Sequence, residues 1–291
     1  MKHILVTGSN GQLGRSLRIV AGSYSDFRFS FIDIVDLDLT NSREVSGYFA
    51  GHPADYIINC AAYTAVDKAE EQSESAFRVN AVIPELLGKI ALTRNIRLLH
   101  ISTDYVYDGK LSVPHQEDET PVPVSVYGKS KYEGDKALLN NPNVIIVRTS
   151  WLYSEFGNNF LTNMIRIGTV KKELGVVYDQ TGTPTYAGDL ARTLLKIISF
   201  SGKNPFMPGI YNYSNEGVCS WYDFATEIMK LACKDCVVRP IRTSEYPLPA
   251  QRPAYGVMDK SKIRRVFDIQ IPYWRDSLRL ALENLEKNKE I

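Results

Sequence analysis

His3-Ile-Leu-Val-Thr-Gly-Ser-Asn-Gly-Gln-Leu-Gly14 decides the fold. The β-rich run His3 to Thr7 leads directly into Gly8, Gly11 and Gly14, and Leu13 and Leu17 open a helical pattern beyond it. In such a strand-to-helix turn the first glycine permits the bend, the second lets the backbone approach a pyrophosphate, and the third lets the helix pack closely on the strand, while the helix N-terminus supplies free N–H groups. Three spaced glycines also fit an ordinary β–α turn; their place after the first strand of a βαβ run is what points to a dinucleotide. Candidate cofactor residues are Gly8, Asn10, Gly11, Gln12, Leu13 and Gly14, with Asp33 ending the second strand 19 residues beyond Gly14, where a carboxylate would meet ribose hydroxyls. Asp36 and Asp38 crowd the same loop, so a plain turn role for Asp33 stands beside that reading.

Outward from this motif the alternation continues. Arg28 to Asp33, Asp55 to Cys60, Ile96 to Ser102 and Asn143 to Thr149 read as further strands, separated by segments long enough for crossover helices, which predicts an α/β fold with a doubly wound parallel sheet of Rossmann type. Ser73 to Arg94 is a long amphipathic helix candidate, and Ala187, Leu190, Ala191, Leu194, Leu195 and Ile198 keep a helical apolar stripe. After Trp151 the alternation weakens: a helix is expected near Asn158 to Ile167, strands near Leu174 to Tyr178 and Ile210 to Tyr213, and helices at Trp221 to Ala232 and Trp274 to Asn288. The chain then divides into a dinucleotide-binding domain over 1–150, to which 179–208 returns, and a smaller substrate-binding lobe built mainly from 151–178 and 209–291. The stretch between Asp104 and Val126, rich in Pro, Asp, Glu and Ser, reads as a long gating loop, more mobile before its ligand binds than after.

Lys and Arg total 34 against 33 for Asp and Glu, a net charge of +1, so the basic field that nucleic acid or an anionic membrane requires is missing. A small molecule is the default partner. With 291 residues, 44% of them hydrophobic, the chain is long enough to bury a large core. No apolar run approaches the roughly 20 residues that span a bilayer, and no secretory apolar segment follows Met1. Four cysteines, Cys60, Cys219, Cys233 and Cys236, are few for this length, so a soluble cytoplasmic protein is expected. Cys233-Lys-Asp-Cys236 has metal-like spacing but lacks a second pair, and no metal site is expected there.

Ser102-Thr103-Asp104 closes the fourth strand at its carboxyl end, the edge where open α/β sheets bind ligands. Tyr127-Gly-Lys-Ser-Lys131 begins the helix after the following loop, and residues four apart share a helix face. The ordinary tyrosine pKa of about 10 falls beside a cation, so the spacing predicts that Lys131 draws Tyr127 toward neutrality as an acid–base group.

Over essentially its whole length the sequence resembles the extended short-chain dehydrogenase/reductase family, and within it the enzymes that reduce dTDP-4-keto-sugars. The matching stretches are Val6 to Gly14, Asn59-Cys-Ala-Ala-Tyr-Thr-Ala-Val-Asp-Lys-Ala-Glu70, Ser102-Thr-Asp-Tyr-Val-Tyr-Asp-Gly109, Tyr127 to Lys131, Arg148-Thr-Ser-Trp-Leu-Tyr153, Asp179-Gln-Thr-Gly-Thr-Pro-Thr185 and Arg252-Pro-Ala-Tyr255. The resemblance implies that Thr103 hydrogen-bonds the substrate carbonyl, that Tyr127 protonates the developing alkoxide, and that Lys131 holds the nicotinamide ribose, with hydride from NADPH or NADH. It implies adenine contacts from Asp38 and Leu39, ribose-phosphate contacts from Ala61, Ala62 and Tyr63, and cofactor contacts from Tyr127 and Lys131. The implied substrate pocket comprises Thr103, Asp104, Tyr105, Trp151, Asn159, Phe160, Gln180, Thr185 and Arg252, with Arg252 suited to a diphosphate and Trp151 offering a flat apolar face to a deoxysugar. The implied reaction is reduction of the 4-keto group of dTDP-4-dehydro-L-rhamnose to dTDP-L-rhamnose. A homodimer and a Mg2+ ion at a subunit interface are left open. Two departures stand out: Cys60 where alanine is usual, and Gly256 where serine is common.

Alternatives within the fold are a 4,6-dehydratase, a 4-epimerase and a GDP-fucose synthase. The dehydratases carry Asp-Glu after the catalytic Thr, where this chain has Asp104-Tyr105; the epimerases usually carry small apolar residues there; and the synthase's additional Cys and His find no match. A non-catalytic dinucleotide-binding subunit is the alternative of a different kind, and the presence of Thr103, Tyr127 and Lys131 argues against it. Between Ile32 and Asn41 no Arg or Lys is available for a 2′-phosphate, leaving Arg15 and Arg18 as helpers, so dual cofactor use with NADH at least as effective as NADPH is expected.

Overall fold

The computed structural model describes residues 1–288; residues 289–291 of the expected 209–291 segment lie outside the described residues. Its first half comprises β1 (Lys2–Thr7), α1 (Gln12–Ala21), β2 (Phe27–Ile32), α2 (Ser42–Gly51), β3 (Tyr56–Asn59), α3 (Val66–Glu71), α4 (Ser73–Phe77), α5 (Ile83–Thr93), β4 (Arg97–Thr103), α6 (Val126–Leu138) and β5 (Val144–Thr149). The second half comprises β6 (Leu152–Tyr153), α7 (Phe160–Val170), β7 (Glu173–Val177), β8 (Thr181–Gly182), β9 (Thr185–Tyr186), α8 (Ala187–Ser201), β10 (Gly209–Tyr213), β11 (Cys219–Ser220), α9 (Trp221–Leu231), β12 (Val237–Ile241), α10 (Ser261–Phe267) and α11 (Trp274–Lys287).

Six strands form one parallel sheet in the order β2-β1-β3-β4-β5-β10. Parallel strands covered on both faces read as continuous apolar runs, and Ile4-Leu5-Val6, Ile57-Ile58, Leu98-Leu99 and Val144 to Val147 are buried throughout. Alternate side chains serve opposite faces: Ile4, Val6 and Ile58 meet Leu17, Leu190 and Leu194, whereas Leu5, Ile57 and Leu98 meet Phe49, Leu87 and Ile90. The chain order reverses between β1 and β3, so the crevice at their carboxyl ends is the topological switch point where such sheets bind ligands.

The division of the second half differs from the expected one. β10 pairs with β5 as the sixth strand of the main sheet, and Ile263, Phe267 and Ile269 pack into the same core as α1 and α8. The lobe proper has its own core, in which Leu161, Phe224, Ile228, Trp274 and Leu278 join α7, α9 and α11. β12, which pairs with β7, went unanticipated because Val-Val-Arg-Pro-Ile is interrupted by an arginine and a proline.

The expected helix over 73–94 is interrupted by a π-helical turn at Arg78–Val82. Pro84 has no N–H to donate to the Asn80 carbonyl, which favours the wider turn there. The expected gating loop is pinned rather than free. Tyr107 and His115 stack at 4.3 Å with planes 2° apart, the Tyr107 hydroxyl donates to the Gln116 carbonyl, and Asn212 of β10 donates to the His115 carbonyl and the Glu117 carboxylate. Lys110 to Pro114 form a continuously exposed tip, and Gln116, Asp118, Thr120 and Val122 are also exposed.

One buried ion pair ties these parts to the site. Arg148 on β5 donates through Nε to Asp135 of α6 at 3.1 Å and through Nη1 to the Tyr107 hydroxyl at 2.8 Å, with Arg148 1% and Asp135 0% exposed. Removing one member of such a pair strands a buried charge, so Asp135→Ala is expected to lose about 3–5 kcal/mol of unfolding free energy in urea titrations. A loss under about 1 kcal/mol would show that Arg148 finds water or another partner.

Candidate functional site

Gly8 follows β1 at φ +61°, and a Cβ there would stand 2.6 Å from the Ala61 nitrogen, just beyond β3. Only glycine lets the two strand exits meet at the switch point. Gly11 is the N-cap of α1 and Gly14 lies one turn in against the Ser9 backbone; no side chain caps the helix and no acid lies in its first turn, so its N–H groups stand open. This cradle suits a pyrophosphate. The Asn10 N–H donates to Asp33 Oδ2 at 2.8 Å and the Ile34 N–H to Oδ1 at 2.8 Å, so Asp33 braces the glycine loop with one oxygen and the exit of its own strand with the other. Asn10, Arg15, Arg18, Ile19 and Phe156 line an open cavity of about 400 Å³ beside the loop. The Gln12 side chain accepts from the Ser154 hydroxyl at 3.0 Å, Leu13 and Leu39 point into the cores, and Asp38 accepts from the Thr40 N–H and hydroxyl. Leu39 therefore offers backbone, not side chain, to any adenine.

Beyond β3, Ala61, Ala62 and Tyr63 are fixed by two asparagines. Asn59 accepts from the Ala61 N–H, and Asn80, inside the π-helical turn, accepts from the Tyr63 N–H at 2.8 Å and donates to the Tyr63 carbonyl and the Ser130 hydroxyl. Asn80 was missed from sequence because its signal, a polar residue on the apolar stripe of a long helix, is weak. The Tyr63 hydroxyl donates to Gln72.

A row of polar side chains crosses the sheet. Thr7, Asn59 and His100 are register neighbours on β1, β3 and β4. The Thr7 hydroxyl donates to Asn59 Oδ1 at 2.7 Å, and Asn59 Nδ2 donates to His100 Nδ1 at 3.0 Å. Because the Ala61 N–H fixes which end of the Asn59 amide accepts, His100 Nδ1 is unprotonated and its Nε2 carries the proton, a donor that lies 3.5 Å from Lys131 Nζ without accepting from it. Lys131 Nζ donates to the Ile101 carbonyl at 2.7 Å. Burial pushes the Lys131 ammonium down to about 8 and, with Lys131 beside it, His100 well below its ordinary range.

Thr103, the last residue of β4, caps a short 3-10 turn, Asp104–Val106, by accepting from the Tyr105 N–H. Tyr127 stands in the first turn of α6, whose start is fixed by Ser125 as N-cap and by Glu70 of α3, which accepts from the Val126 N–H at 2.9 Å. The Tyr105 and Tyr127 rings meet edge to face at 5.4 Å. The expectation that Lys131 lowers the Tyr127 pKa is not what the geometry gives: burial pushes the phenol up to about 12, the Thr103 hydroxyl opposes this, and Lys131 is turned to the Ile101 carbonyl. Tyr127 is a protonated phenol at neutral pH.

From Thr103 a continuous line of contacts runs to the lobe. The Thr103 hydroxyl donates to Asp104 Oδ1 at 3.2 Å, and burial pushes the Asp104 carboxyl up to about 7. A Cβ on Gly256 would lie 2.6 Å from Asp104 Oδ2, which accounts for glycine in place of the serine common there. The Gly256 N–H donates to the Thr181 carbonyl, and Gly182 abuts the Trp151 indole. Trp151, at φ +47°, stacks on Trp221 at 3.6 Å, and Phe160 packs on Trp221 at 4.5 Å, so the aromatic wall includes Trp221, which sequence reasoning did not single out. Tyr178, Thr181, Cys219, Tyr222 and Asp223 border an open cavity of about 600 Å³ beyond Thr181.

Four expected substrate residues have side-chain partners within the protein. Asn159 spends its side chain capping α7, accepting from the Thr162 N–H and donating to the Ser154 and Phe156 carbonyls. Thr185 is fully buried and accepts from Thr149. Arg252 is gripped by Asp67 of α3 at 2.7 Å. Gln180 is buried and donates to Thr243.

A parallel sheet with a glycine cradle at its switch point, and Thr, Tyr and Lys gathered where β4 meets α6, defines a Rossmann-type protein of the short-chain dehydrogenase/reductase class. Residues 1–287 match the model of the RmlD substrate binding domain, and the chain belongs to that family. It is 41% identical over 288 residues to a dTDP-4-dehydrorhamnose reductase of Aggregatibacter actinomycetemcomitans, covering 96% of this chain and 98% of that protein. Among solved structures, a dTDP-4-dehydrorhamnose reductase of Clostridium acetobutylicum superposes with a TM-score of 0.91 at 41% identity, covering 98% of this chain and 99% of that one. One of Bacillus anthracis, in complex with NADP, gives 0.91 at 35% identity, covering 97% and 99%. Among the described residues no helix is long and apolar enough to cross a membrane.

The buried lysine makes a prediction of opposite sign for stability and activity. A lysine titrating at about 8 instead of 10.5 destabilises the fold fully below pH 8, and the penalty fades as pH rises toward 10.5. Lys131→Met is therefore expected to stabilise the unliganded protein by on the order of 2 kcal/mol at pH 7, with the gain shrinking above pH 8, while activity collapses. Chemical denaturation of both proteins across pH 6 to about 10.5 checks it, and a gain independent of pH would assign the effect to packing instead.

Proposed function

We propose that the chain reduces the 4-keto group of dTDP-4-dehydro-L-rhamnose to dTDP-L-rhamnose with NADPH or NADH. The observation that carries this reading is the placement of a protonated Tyr127 and the Thr103 hydroxyl at one sheet edge, next to the glycine cradle, in a chain 41% identical to a reductase with that name. A reduced nicotinamide, when bound, supplies the hydride. Thr103 orients the carbonyl by donating to its oxygen, and Tyr127 gives its phenolic proton to that oxygen as the C–H bond forms. Lys131, held by the Ile101 carbonyl beside His100, supplies the ribose-directed donors. Trp151 and Trp221 form the apolar wall for the deoxysugar, and Arg252 faces the diphosphate.

The reading is tested by loss of reduced-nicotinamide absorbance when dTDP-4-dehydro-L-rhamnose is added. Tyr127→Phe is expected to lower kcat by roughly 10²–10⁴-fold with cofactor Kd little changed. A stoichiometric binder without turnover would instead be a non-catalytic subunit.

Asp33 gives a second test. Because its oxygens hold Asn10 and Ile34, Asp33→Ala is expected to raise KM for NADH and NADPH together, altering their kcat/KM ratio by less than about threefold. A large swing toward NADPH would return Asp33 to the role of ribose reader.

A further inference from the structure

A guanidinium has five N–H donors in a rigid plane. In Arg252, Nη1 donates to Asp67 Oδ1 at 3.1 Å and to the Ala250 carbonyl at 3.0 Å, and Nη2 donates to Asp67 Oδ2 at 2.7 Å. Three donors are thus held by the protein. The remaining two, on Nε and Nη2, have no partner among the described residues and lie side by side on one edge of the plane. That edge is a ready two-pronged donor for two oxygens of a phosphate. The carboxylate doing the holding is itself anchored, since the Ala250 N–H donates to Asp67 Oδ1 at 3.2 Å. Arg252 is only 18% exposed and Asp67 35%, so the pair is partly withdrawn from water and its geometry is restrained.

We infer that Asp67 is the positioning residue for Arg252, holding the guanidinium by its far end so that the Nε–Nη2 edge faces the diphosphate of a nucleoside-diphosphate sugar. The inference rests on the reading of Arg252 as the diphosphate residue. Asp67 stands in the first turn of α3, and Glu70, one turn further along that helix, holds the Val126 N–H at the start of the Tyr127 helix. One short helix therefore sets both the phosphate-binding edge and the proton donor, fixing the span between the diphosphate and the reacting carbon. An alternative role has the opposite sign: were Asp67 a competitor that the diphosphate displaces, removing its charge would tighten binding.

The test measures binding of dTDP to the full chain by calorimetry in the native protein, Asp67→Asn, Arg252→Lys and the double variant. Thymidine serves as the probe without phosphate and NADPH as the control for folding. Asp67→Asn is expected to weaken dTDP about tenfold, the scale of losing an orienting partner, and to leave thymidine and NADPH unchanged. KM for the keto-sugar should rise by a similar factor while kcat stays within about twofold. Lysine keeps the charge of Arg252 but has no fork, so Arg252→Lys should weaken dTDP comparably and the double variant no further. Unchanged or tighter dTDP binding in Asp67→Asn, or fully additive losses in the double variant, overturns the inference. A native chain that binds dTDP yet does not reduce the keto-sugar overturns the reductase reading alone, because the dTDP comparison still decides the role of Asp67.

Discussion

Burial of polar groups in the middle of an apolar sheet is the constraint on which the rest depends. Thr7, Asn59 and His100 stand where valine or isoleucine would pack, and each is tolerable only with its hydrogen bonds made. Their partners are one another, so β1, β3 and β4 are locked in a single register, since a slip by one residue would break every link and turn the row to the other face. The row begins on the strand that feeds the glycine loop and ends at Lys131. The lysine is held by the Ile101 carbonyl of β4, the strand that carries His100, so its position is referred across the row to the cradle, independently of the loops between them.

A second set of links reaches outward. Arg148 joins β5 to α6 and to the Tyr107 loop, and α3 joins α6 to the Arg252 segment. Each is a charged or carbonyl-type group satisfied by elements distant in sequence, so the substrate side of the site is assembled by long-range contacts. The Rossmann half, by contrast, is assembled by local β–α units. Asp104 sits at the meeting of the two halves, its carboxyl pressed close to Gly256 and raised toward neutrality by burial.

The parts legible in the sequence were those governed by local rules. Short β-rich runs marked five strands of the main sheet within a residue, because strands largely buried on both faces, as β1, β3, β4 and β5 are, have little freedom in composition. β10 was recognised as a strand and assigned to the wrong half, since Gly-Ile-Tyr-Asn-Tyr says nothing about which strand it pairs with. Spacing pointed to the glycine loop, Asp33, Thr103, Tyr127 and Lys131, the other candidate site residues came from the family resemblance, and their individual duties followed from neither. The capping by Asn159, the burial of Thr185, the bracing by Asp33 and the grip of Asp67 on Arg252 all depend on where a short polar side chain finds its nearest partner, which only the assembled backbone decides. Loop 104–126 misled in the same way: its Pro and acidic content suggests mobility, yet Tyr107, His115 and Glu117 use it to close hydrogen bonds of β10 and the 255–258 segment.

The wide turn at Arg78–Val82 limits how this chain can change length over evolution. Surface loops absorb insertions and deletions readily. The five residues of the turn cover about the same rotation as four residues of ordinary helix, so loss of one between 78 and 82 would restore ordinary winding and leave Leu87, Ile90 and Ala91 on the core, but would pull Asn80 away from Tyr63 and Ser130. Gain of a further residue would turn everything after it by about 100° and carry those side chains off the core. The residue count between Asn80 and the core face of α5 is thus as constrained as the identity of the residues themselves, and homologous chains should vary in length at the Lys110 to Val113 tip long before they vary here.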